Sequence, residues 1–159
     1  MALFIKNLVF TVLVPGTVGV YVPLLLAGGR SPSSVLSTAL ALPVFAAGAA
    51  IYGWCVWDFA SFGRGTPAPV DAPKRLVARG LYRYTRNPMY VGVLLVILGW
   101  VILFQAVVLL FYAALVGLGF HLIVVFYEER QLHRTFGDEY DTYRTRVGRW
   151  FPRIGRRAA

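Results

Sequence analysis

Charge is scarce in this chain. Asp, Glu, Lys and Arg together make up 14% of its 159 residues, roughly half the share of a soluble globular domain. Apolar residues make up 58% and the mean hydropathy is +0.64. That balance excludes an ordinary soluble domain and predicts an integral membrane protein of one domain. Cysteine occurs once, at Cys55, which excludes an intrachain disulfide and a multi-cysteine metal site. Cys55 lies within an apolar run and reads as a small buried packing residue rather than a catalytic thiol. Histidine occurs twice and acids seven times. The adjacent Glu128 and Glu129 have no His or Cys companions in sequence, so no metal site is expected. Internal repeats and low-complexity segments are absent. No small-x-small cleavage site follows the first apolar run, where Leu24-Leu25-Leu26-Ala27-Gly28 stands, so that run is expected to be a retained span.

What is there is a set of apolar runs. Residues 7–27 are uncharged, and 21 residues at about 1.5 Å each cover a hydrocarbon core of about 30 Å. Pro15 and Pro23 inside it predict kinks, because a membrane helix tolerates proline where neighbours satisfy the freed carbonyls. The Gly28–Ser34 stretch, GGRSPSS, is a turn. Residues 35–57 form the second expected span, with Pro43 inside. Ala46, Ala47, Gly48, Ala49, Ala50 and Gly53 give it a small surface for close helix packing. Trp54 and Trp57 fit an interfacial belt, and Asp58 at its edge is expected to pair with an arginine. Residues 61–87 read as a loop, since Gly63, Gly65, Pro67, Pro69 and Pro73 forbid one helix; a loop of that length is often functional. Residues 89–104 and 107–127 form two further runs, joined at Gln105 as a tight hairpin. From Glu128 onward Leu132, Phe136, Tyr140 and Tyr143 recur at helical spacing, with a bend at Gly137.

The formal charge of +9 is concentrated. Six Lys or Arg lie in 61–87, eight in 128–159, one in 28–34 and none near Gln105. Four spans place both basic segments, with Lys6 at the N-terminus, on one side. By the positive-inside rule that side is cytoplasmic, with both termini there. The basic segments are expected to meet anionic lipid headgroups; no aromatic-basic fold for nucleic acid is visible.

Chemistry is expected at the rim of the hairpin, in Arg86-Asn87-Pro88-Met89-Tyr90-Val91-Gly92 and Glu128-Glu129-Arg130. Pro88 suits a first helical turn, where its missing N–H costs nothing. The unpaired N–H groups of that turn suit an acceptor atom. Arg86 and Tyr90 are four apart and share a face if the helix starts early. Glu128 and Glu129 point about 100° apart on a helix, so they do different work. The plain alternative is that these are interfacial charges pairing with loop arginines. His121 lies within the fourth run, where an ionisable group is either functional or a neutral partner between helices. His133 reads as a tail residue.

The ordered motifs resemble the isoprenylcysteine carboxyl methyltransferase and phospholipid methyltransferase superfamily. They are Leu81-Tyr82-Arg83-Tyr84-Thr85-Arg86-Asn87-Pro88-Met89-Tyr90-Val91-Gly92, then Glu128-Glu129-Arg130-Gln131-Leu132, then Phe136-Gly137-Asp138-Glu139-Tyr140 with Tyr143, then Arg149-Trp150-Phe151-Pro152. The family pattern reads Arg-His-Pro-x-Tyr-x-Gly, so Asn87 stands where histidine is usual. Asparagine exchanges hydrogen bonds but cannot titrate. The resemblance spans about residues 62–153. The apolar runs and the charge spread predict an all-α integral membrane protein of four spans with an amphipathic cytoplasmic tail, and the resemblance implies that it is a methyltransferase using S-adenosylmethionine. The resemblance also implies a cofactor site of Gly80, Leu81, Tyr82, Arg86, Asn87, Pro88, Tyr90, Glu128 and Glu129. Arg86, Glu129 and Tyr90 are the candidate catalytic residues: Arg86 suits a carboxylate, a glutamate an ammonium or ribose, and tyrosine faces a cation. The expected acceptor is lipid-like or small and hydrophobic. Alternatives are methylation of a small thiol or amine, or a non-catalytic membrane lipid-binding scaffold. Membrane lipids are the expected partners, with no nucleic acid and no metal.

Overall fold

The computed structural model describes residues 9–63 and 75–153. Lys6, Arg64, Gly65, Pro67, Pro69, Asp71, Pro73, Lys74, Arg156 and Arg157 lie outside the described residues. Those described are helical, with no β-strand among them. Three helices are long and apolar enough to cross a membrane: α1 (Val9–Ala27), α2 (Val35–Phe62) and α4 (Val107–Phe136). A shorter apolar helix, α3 (Pro88–Phe104), lies between α2 and α4, and α5 (Asp138–Arg146) follows. Leu25, Val35, Leu36, Trp57, Phe111 and Leu115 are all largely exposed. So wide an apolar surface is stable in lipid and not in water, and the chain is an integral membrane protein.

Proline shapes α1. Pro23 has no N–H, so the Gly19 carbonyl loses its usual donor, and the helix opens into a π-turn over Thr17–Tyr21. The Val22 N–H bonds to the Thr17 carbonyl, one residue further back than in an α-helix, which also frees Val18. Trp100 Nε1 donates to the Gly19 carbonyl at 2.9 Å, and the Tyr112 hydroxyl donates to Val18 at 2.8 Å. The irregularity thus becomes the docking point of α1 on α3 and α4.

Helices α2 and α3 make the closest crossing. A Cβ at Gly48 would lie 2.7 Å from the Gly92 carbonyl oxygen, and one at Gly92 would lie 2.9 Å from the Gly48 oxygen. The contact within the small-residue run is therefore Gly48, whereas Gly53 faces open space. The start of α2 is capped reciprocally by Ser34 and Ser37. Ser33 N–H and the Ser37 hydroxyl both reach the Leu103 carbonyl at the end of α3, at 3.0 and 3.3 Å. The two helices are therefore antiparallel.

Gln105 takes a left-handed conformation at φ 48°, and α4 starts two residues later. Two boundaries differ from the sequence expectation. Helix α2 runs past Trp57 and Asp58 through a π-turn over Phe59–Gly63, because no breaker occurs before Gly63. Helix α4 runs past Tyr127 to Phe136, because charged residues are good helix formers and nothing stops them before Gly137. Gly137, at φ 49°, provides the bend into α5. The 30 residues of α4 measure about 45 Å, longer than a hydrocarbon core.

Candidate active site

The loop before α3 is pressed against the end of α2. Asp58 is buried at 1% exposure and pairs with Arg79 at 3.1 Å, the arginine partner expected for it. Gly80 sits on that carboxylate at φ 55°, where a Cβ would strike Asp58 Oδ2. A short 3-10 turn, Gly80–Arg83, then directs Tyr82 inward. Asn87 occupies the position before α3 without a side-chain capping bond, and Pro88 is the first residue of the helix, so Tyr90 lies in the first turn.

Opposite, α4 carries a third π-turn, over Val124–Glu128. Such a turn rotates the helix face, and Glu128 and Glu129 are divided by it. The Glu128 carboxylate accepts from the Tyr90 hydroxyl, and Tyr90 also packs on Phe120 with ring centres 4.4 Å apart. Glu129 instead meets two arginines. Arg86 Nη1 lies 3.1 Å from Oε1, while Arg149 binds both oxygens, Nε to Oε1 at 2.6 Å and Nη2 to Oε2 at 3.0 Å. Arg86 Nη1 also donates to the Tyr140 hydroxyl at 3.0 Å, and its buried Nε has no partner.

The segment after α5 closes the arrangement. Arg86 N–H donates to the Gly148 carbonyl at 2.9 Å. The Arg149 carbonyl accepts from Thr85 Oγ1 at 2.9 Å and from Asn87 Nδ2 at 3.0 Å. Tyr143 donates to the Tyr82 carbonyl at 2.7 Å. Burial pushes the Tyr143 phenol above its ordinary range, against a smaller opposing pull from Arg86, so it stays a donor at neutral pH.

These contacts enclose a cavity of about 170 Å³. Tyr82, Arg86, Asn87, Tyr90, Glu128 and Glu129 all line it. Gly80 and Leu81 do not, and Pro88 is buried at the helix start without lining it. Its polar lining is formed by the residues just described, and its apolar lining by Phe59, Leu76, Val77, Met89, Leu132 and Phe136. Sequence reasoning missed Tyr140 and Tyr143 as lining residues, although the stripe from Leu132 to Tyr143 carried the signal; its residues all face this cavity. His121 stays at the surface of α4, where it accepts from Trp150 Nε1 at 3.1 Å. His133 meets Asp141 at 3.2 Å. Among the described residues no cluster of His, Cys, Asp or Glu could hold a metal ion.

The charges are uneven along the polar lining. Arg86 and Arg149 against Glu129 leave one net positive charge, while Glu128 is held by a neutral hydroxyl. A ligand carrying a carboxylate and a cationic group finds a counterpart for each.

No curated protein and no solved structure matches the chain. The family model described as phospholipid methyltransferase matches residues 36–139, more than half of the 159. The match runs from the first turn of α2 to the start of α5, so it takes in the crossing of α2 on α3, the loop, the hairpin and both glutamates. By that match this chain is a member of the phospholipid methyltransferase family, and an integral membrane methyltransferase.

Proposed function

We infer that the protein transfers the methyl group of S-adenosylmethionine to a lipid-like or small hydrophobic acceptor reaching the site from the bilayer. The observation that carries this reading is the convergence of Arg86, Tyr90, Glu128 and Glu129 on one cavity. The donor set fits the cofactor. Its amino-acid end carries a carboxylate and an ammonium, and the cavity offers an excess guanidinium charge beside Glu129 and a separate carboxylate at Glu128. Arg86, whose Nε is buried without a partner, suits the carboxylate. The apolar lining supplied by Val77, Met89 and Leu132 among others suits a flat base. Tyr90 and Tyr82 present rings to a cation.

When bound, the cofactor supplies a methyl group made electrophilic by its sulfonium. The chain's own part is alignment and exclusion of water. The tyrosines and the tail segment close over the polar lining, and the Arg86–Glu129–Arg149 cluster holds a fixed charge there without reorganising. Asn87 does not titrate, and its amide is spent on the Arg149 carbonyl. A carboxylate or thiolate acceptor needs no base; an ammonium acceptor must first lose a proton. Glu128 is the lining carboxylate not held by arginine. The charge distribution supports four spans with the cavity at the cytoplasmic side.

Equilibrium binding of labelled S-adenosylmethionine to detergent-purified protein tests this reading. Saturable binding is expected, followed by transfer of label into a lipid extract or a small hydrophobic acceptor. Folded protein that binds no cofactor overturns the reading; binding without transfer to any acceptor leaves a scaffold.

A further inference from the structure

Arg149 does not line the cavity. It lies behind Glu129, with its side chain 34% exposed. Its guanidinium takes both carboxylate oxygens of Glu129, and that geometry fixes the plane of the carboxylate as well as its position. Its carbonyl is held from the other half of the site by Thr85 and Asn87. A single residue therefore links α4 to the loop before α3. Gly148, just before it, is needed for the turn of the tail that carries Arg149, since a Cβ there would strike the Phe151 carbonyl oxygen.

We propose that Arg149 is a positioning residue: it acts through Glu129 to orient the polar lining of the cavity and keep the Arg86–Glu129–Arg149 cluster net positive, so it governs affinity for the amino-acid end of the cofactor and not for the nucleoside. The proposal rests on the S-adenosylmethionine reading. Without Arg149 the Arg86–Glu129 pair is neutral, and the carboxylate turns toward Arg86 alone. A ligand carboxylate then competes with Glu129 for one guanidinium.

The test compares two probes on wild type and Arg149→Ala. S-Adenosylhomocysteine carries the amino-acid end; 5′-methylthioadenosine keeps the nucleoside and thioether but lacks it. Affinity for the first is expected to fall about tenfold or more, the scale of losing a charged hydrogen bond, with affinity for the second unchanged. The effect is also expected to shrink in a Glu129→Gln background, because the residue it acts through is gone. Should Arg149→Ala not fold, Arg149→Lys carries the same comparison: it keeps the charge and loses the two-point grip, so it shows a smaller drop for the first probe alone. Equal losses for both probes, or no loss for either while wild type binds both, overturn the proposal. Wild type that binds neither probe sinks the cofactor reading itself.

Discussion

Arg86 reaches Glu129 on α4 and Tyr140 on α5 with one guanidinium nitrogen, so its loss removes charge and connection together. Glu129 in turn is satisfied by two arginines. Arg86→Ala is expected to weaken S-adenosylmethionine binding by about 10- to 100-fold, since it leaves the cofactor carboxylate without its partner, a loss of roughly 1.5–3 kcal/mol, and Glu129→Ala is expected to weaken it as well, since Arg86 and Arg149 lose the carboxylate that holds them in place. Equilibrium dialysis with labelled cofactor measures it, and wild-type affinity in either variant removes that residue from the site. The motif residues were readable at this scale because each is chemically distinctive. Which glutamate does which work was not. Glu128 and Glu129 are adjacent in sequence, yet one meets a phenol and the other two guanidiniums. The π-turn before Glu129 is set by helix packing, which no local signal encodes.

At the scale of elements, the turn in α1 is built on a missing donor. Pro23 leaves the Gly19 carbonyl to Trp100 on α3. Trp100→Phe keeps the ring against Phe45 and Phe104 but loses the bond. It is expected to lower stability by about 1 kcal/mol, the range of hydrogen bonds between membrane helices. In a Pro23→Ala background the restored N–H can serve Gly19, so the cost of Trp100→Phe is expected to shrink. Thermal unfolding of the four proteins in detergent gives the coupling; additive effects would show that Trp100 holds α1 by ring packing alone. The prolines were visible in the sequence as kink sites. That a kink would serve as a dock depended on which indole and phenol lay opposite. The small-residue run of α2 is a similar case, since six small residues were candidates and only the crossing angle selects Gly48 against Gly92.

For the whole molecule, the turn at Gly28–Ser34 and helix α5 lie at opposite ends of the bundle. Ser33 touches the end of α3, whereas Tyr140 meets Arg86 before its start. With four spans, a membrane-impermeant thiol reagent is expected to label Ser33→Cys from outside and Thr142→Cys only after the membrane is opened. Cys55 is fully buried and is expected to stay silent. Labelling of both from the same side would refute the four-span arrangement. Composition, run lengths and the spread of basic residues were enough to specify a helical membrane protein with a tight hairpin, because the cost of exposing polar backbone to lipid acts on every span alone. The ordered motifs were enough to specify the family. The pairing of Arg149 with Glu129, the closing of the cavity by the tail and the burial of Asn87 were decided by the tertiary structure. They join residues 20 to 64 positions apart, and a contact at that separation exists only once α4, the loop and the tail have met.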